Sequence, residues 1–68
     1  MTIYFLHTPA SPDRPLQALT LAELAELIGC ALEAGDRIDR LAATDFTTRG
    51  MRPLQHGETR QLVQLLMR

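Results

Sequence analysis

The tetrapeptide Arg14-Pro15-Leu16-Gln17 recurs letter for letter as Arg52-Pro53-Leu54-Gln55, 38 positions later in a chain of 68 residues. Carried forward, the same offset lays Leu24-Ala25-Glu26-Leu27-Ile28 over Leu62-Val63-Gln64-Leu65-Leu66. Carried backward, it lays Ile3-Tyr4-Phe5-Leu6 over Leu41-Ala42-Ala43-Thr44, with Phe46 closing the second stretch. Internal repetition limits architecture more than residue propensity does. Two explanations stand. Either residues 1–34 and 38–68 are two copies of one unit, or both helices share an entry device, since Pro sits naturally just ahead of a helix.

A chain this short makes one domain and buries only about 60% of the surface its unfolded form exposes, so its core is marginal. Disulfides, a metal or oligomerisation are the usual reinforcements. The single cysteine, Cys30, excludes an internal disulfide, and two histidines supply no ligand set at zinc spacing. No metal or other cofactor is expected. Oligomerisation remains, and the expectation is a homodimer or a partner-bound protein.

Net charge is −1, which exerts no overall pull toward nucleic acid or an anionic membrane. The charge is nevertheless divided: residues 1–36 hold five acids against Arg14, whereas residues 37–68 hold six arginines against Asp39, Asp45 and Glu58. Two readings follow: the halves complement each other within a fold or dimer, or the second half carries a basic binding surface. Every basic residue is arginine, and lysine and asparagine are absent. Both missing residues have A-rich codons, which points to a GC-rich genome, bacterial or of a bacterial virus. The apolar start at residues 1–6 is too short for a signal peptide, and no apolar run approaches the length of a membrane span. A cytoplasmic protein with Cys30 reduced is therefore expected.

Ile3, Tyr4 and Phe5 favour a strand over residues 2–7. Pro9, Pro12 and Pro15 then exclude regular structure to about Leu16. Thr20-Leu21-Ala22-Glu23 is a capping box opening a helix over 20–34, with Leu21, Leu24, Ala25, Ile28, Ala31 and Leu32 on one face. Gly35 ends it. Residues 37–48 are compatible with helix or strand; Thr44, Phe46, Thr47 and Thr48 and the repeat favour a strand over 38–47. Pro53 leads into a last helix over about 56–67.

Thr20 to about Leu41 resembles the helix-turn-helix of bacterial repressors, in which a small residue precedes the turn glycine by four, as Ala25 precedes Gly29. The resemblance covers about a third of the chain and implies a small DNA-binding transcriptional regulator. Two features depart from the pattern. Gly35 falls where the second helix needs an apolar residue, and the stretch 30–36 that would read DNA carries Glu33 and Asp36 and no Arg or Gln. One continuous core helix accounts for the same residues, and nucleic acid is not expected as a partner.

Arg49, Arg52, His56 and Arg60 gather around the start of the last helix, where free N–H groups and guanidinium forks suit a phosphate or an acidic patch. The alternative is a solvated face in which Arg52 or Arg60 pairs with Glu58 or with a glutamate of the first helix. His7, Cys30 and His56 make no catalytic set, because Cys30 lies inside a helix and no third orienting group accompanies it. Tyr4, Phe5, Leu27, Cys30, Phe46 and Met51 are the candidates for an interface, since one small core does not seat every large apolar side chain.

The expected fold is α+β: a small βαβα domain, two βα repeats with a two-stranded sheet and both helices on one face. An all-α three-helix domain with an extended N-terminal arm is the alternative. The expected function is a non-enzymatic protein-interaction module that modulates or inhibits a larger protein, as an early protein of a bacterial virus would do to a host factor. Membrane association is not expected.

Overall fold

The computed structural model describes residues 1–45 and 50–68, so Phe46 and Arg49, named above as candidates, lie outside the described residues. The order is β1 (Thr2–His7), β2 (Leu16–Ala18), α1 (Leu21–Glu33), β3 (Arg40–Asp45) and α2 (His56–Leu66). The class is α+β. The sheet among the described residues has three antiparallel strands in the order β2-β1-β3, not two, and the three-helix alternative is excluded because 40–45 is a strand.

β2 is the element that periodicity did not show. Three residues are too few to display alternation, and its existence depends on the edge that β1 offers: Tyr4 pairs with Ala18, Phe5 with Gln17 and Leu6 with Leu16. β3 covers positions each 38 beyond their counterparts in β1, and the two strands pair along their whole length, Thr2 with Asp45 through His7 with Arg40. The helices do not keep that offset. α2 starts 35 positions after α1, so the second Arg-Pro-Leu-Gln lies directly against its helix while the first contributes Leu16 and Gln17 to β2.

Side chains alternate across a strand. Tyr4, Leu6, Ala18 and Ala43 point to the helices and meet Leu24 and Ile28 of α1 and Leu62 of α2 in one core. Leu21, Ala25, Leu27, Ile38, Leu41 and Leu54 pack around it. Of the expected helix face, Leu32 fails: it is 55% exposed at the last turn of α1, and Leu27 packs on the core instead. Tyr4 and Phe5, named above as interface candidates, are both buried within the chain. Phe5 and its partner Ala42 are buried on the sheet face opposite the helices.

Local chemistry explains the ends of α1. Thr20 is extended, with φ −136° and ψ 161°, and its Oγ1 accepts the Glu23 N–H at 3.1 Å. The Glu23 carboxylate reaches one residue further back than a capping box requires, accepting the Leu19 N–H at 2.9 Å. At the other end Asp36 N–H donates to Ala31 O at 2.9 Å and Gly35 has φ +80°, a left-handed backbone that glycine adopts without a Cβ penalty. Gly29 is interior to α1, and the chain after Gly35 runs into β3. The second helix on which the helix-turn-helix resemblance depends is therefore not formed. No helix among the described residues is long and apolar enough to cross a membrane.

Candidate functional site

Arg52 organises the end of the molecule where β3, the 50–53 segment and α2 meet. Its backbone bridges to Ala43, with Ala43 N–H donating to Arg52 O at 2.8 Å and Arg52 N–H to Ala43 O at 2.7 Å. Its guanidinium then forks between two carboxylates. Nε donates to Asp45 Oδ2 at 2.7 Å and Nη1 to Glu58 Oε1 at 2.7 Å, while Nη2 lies 3.3 Å from Asp45 Oδ1 and from Glu58 Oε2. Thr2 Oγ1 donates to Asp45 Oδ1 at 2.6 Å, and Tyr4 OH to Glu58 Oε2 at 2.9 Å. Gln55, the N-cap of α2, donates its backbone N–H to Glu58 Oε1 at 2.9 Å, which fixes Glu58 in the first turn. The cluster ties β1, β3 and the start of α2 together.

The titrations follow from those contacts. Hydrogen bonds from Arg52 and then from Thr2 pull the Asp45 carboxyl down to about 2. Arg52 is also the main reason that Glu58 lies below the usual carboxylate range. The two carboxylates, Glu58 first, push the Arg52 guanidinium still higher. Burial, followed by the Glu58 acceptor, raises the Tyr4 phenol. Charges so matched hold a fold together and leave Arg52 little to offer an outside ligand; its side chain is only 21% exposed.

The four residues grouped by sequence at the start of α2 thus separate. Arg52 turns inward to Asp45 and Glu58, the pairing with Glu58 being the alternative weighed above. His56 and Arg60 are exposed on α2, and Arg49 is outside the described residues. Cys30 is exposed on α1. Among the described residues no group of three His, Cys, Asp or Glu side chains is placed to hold a metal ion.

The surface that the fold does assemble lies on the other side of Arg52. An open cleft of about 220 Å³ is lined by Arg40, Leu41, Ala42, Met51, Arg52 and Pro53. Thr44 Oγ1 donates to Gly50 O at 3.0 Å and holds the incoming chain against β3, leaving Met51 48% exposed beside it. Arg40 stands at the mouth. Its Nη2 lies 3.4 Å from His7 Nε2, the side chain across the sheet from it, and 4.0 Å from Met51 Sδ. Among the described residues its guanidinium meets no carboxylate, and its neighbour Asp39 is taken by Arg37 at 3.2 Å. Met51 is the one sequence candidate in this cleft besides Arg52. Arg40 escaped notice because its position depends on strand register: only the pairing of β1 with β3 sets it beside His7 and Met51.

Comparison of the chain with protein-family models, with curated proteins and with solved structures finds no match.

Proposed function

We propose that the chain is a small non-catalytic interaction module that docks on a larger protein and modulates it, using the cleft beside β3. The observation that supports this reading is Arg40: an exposed guanidinium, steadied by His7 and Met51, at the mouth of an apolar-floored cleft with its charge unneutralised among the described residues. Guanidinium groups over apolar surface are favoured anchors at protein interfaces. A homodimer belongs to the same reading, since Leu32, Val63, Leu66 and Met67 remain exposed on the helices of a chain with a small core.

Affinity capture from lysate of a GC-rich bacterium tests the docking, comparing wild type with Arg40→Glu. One stoichiometric protein, retained by wild type and lost by the variant, is the expected result. Equal recovery by both rules out the cleft. Arg52→Glu is unsuitable for this purpose because it breaks the cluster that fixes α2. For the dimer, sedimentation equilibrium at micromolar concentration should give twice the 7.6 kDa chain mass; a clean monomer that unfolds cooperatively overturns it.

A further inference from the structure

We infer that the cleft takes an extended acidic segment of a partner protein, which pairs with the backbone of Leu41 and seats a carboxylate on Arg40. The inference rests on the docking reading above and specifies its ligand. In an antiparallel strand the N–H and C=O of one residue point to the same side, and successive residues alternate. Ala43 directs both groups away from β1, to Arg52. Leu41, two residues earlier, therefore directs its own pair outward as well.

The segment that covers Ala43 does not continue past Leu41. Continued antiparallel pairing would set Leu54 opposite Leu41, but Leu54 packs against the core and the chain turns into the cap of α2 at Gln55. Among the described residues the backbone pairing of 50–53 with β3 is accordingly a single bridge, Ala43 with Arg52. Among the described residues the outward donor and acceptor of Leu41 have no backbone partner, and they lie at the cleft that Leu41 lines. Unpaired edges of this kind are where extended peptides add to sheets, with main-chain bonds supplying affinity and side-chain contacts supplying choice.

Charge decides which peptide. Side chains flanking a residue paired with Leu41 fall on the sheet face of Arg40 and Ala42. A carboxylate there meets the Arg40 fork, the geometry in which arginine binds best. Asp45 and Glu58 are bonded to Arg52, and Asp39, next to Arg40 in sequence, is paired with Arg37, so the charge of each is already matched before an acidic segment arrives. A segment alternating apolar and acidic residues satisfies both requirements. The acids of α1 (Glu23, Glu26 and Glu33) are helical and do not supply such a strand from a second copy.

The test is a titration of the ¹⁵N-labelled full chain with the capped peptide Ac-Glu-Val-Glu-Val-Glu-Val-Glu-NH₂ and with its counterpart in which lysine replaces each glutamate. The expected result is a shift of the Leu41 amide with the acidic peptide, binding at least tenfold tighter than the lysine peptide, and loss of that preference in Arg40→Gln with the remaining amide spectrum unchanged. Equal affinity for the two peptides, or an unmoved Leu41 amide, overturns the inference. A Leu41 amide that instead moves with protein concentration alone assigns that edge to a second copy and also overturns it. The outcomes separate from those of the docking reading: an unmoved Leu41 with partner capture still lost in Arg40→Glu removes the acidic strand and leaves docking in place.

Discussion

Leu24→Ala is the most demanding perturbation of the core. Leu24 is fully buried in the core cluster that also holds Leu6, Ala18, Ile28 and Leu62, and its helix packs on β1, β2 and α2. Removing a buried leucine to alanine costs about 2–5 kcal/mol, the upper part of the range applying where neighbours do not collapse into the space. Here the surroundings are drawn from α1 and the three elements packed on it, and we take about 3 kcal/mol. A chain of this length has a total stability of roughly 3–10 kcal/mol at the usual value per residue. At about 4–8 °C per kcal/mol for a small domain, the midpoint should fall by about 12–24 °C. Thermal unfolding followed by circular dichroism measures this, with Leu32→Ala as the control. Leu32 is 55% exposed on the same helix and should shift stability by no more than about 0.5 kcal/mol. Equal shifts for the two variants would refute the assignment of the buried face.

Thr20→Ala removes the acceptor for the Glu23 N–H and should cost about 1 kcal/mol by denaturant titration, while Thr20→Ser costs much less. Tyr4→Phe keeps the ring but deletes the 2.9 Å bond to Glu58, and should cost about 1.5 kcal/mol. In acid, Asp45 and Glu58 both sit below their unfolded values of roughly 3.9 and 4.3, so their contribution is complete above those values and is lost as pH falls toward about 2. The melting temperature should drop steeply across that window in wild type and less steeply in Asp45→Asn.

How much of this was legible depends on how local each feature is. The start of α1 was, because Thr20, Glu23 and the apolar spacing of Leu24 and Ile28 lie within three turns. β3 was legible chiefly through the 38-residue offset, which carries Thr2–His7 onto Arg40–Asp45. β2 was not, since Leu16–Ala18 has no pattern of its own and is extended because β1 stands beside it. Arg52 was legible in part: its pairing with Glu58 was one of the two readings of the arginine group, and Asp45 was in neither. Proximity in sequence put Arg52 with His56 and Arg60, yet the carboxylates that claim Arg52 come from the end of β3 and the first turn of α2. Arg40 depends on a contact 33 residues away, and no local signal marks it.

Hydrogen exchange at three backbone amides of the isolated chain tests strand addition at the cleft most directly, because an added strand requires an edge that is closed at one residue and open two residues earlier. Ala43 and Arg52 donate to each other at 2.8 and 2.7 Å and should exchange slowly. The Leu41 amide, at the cleft, should exchange at close to the rate of a loop amide and slow when the acidic peptide is added. A Leu41 amide protected as strongly as Ala43 in the free chain would contradict strand addition there.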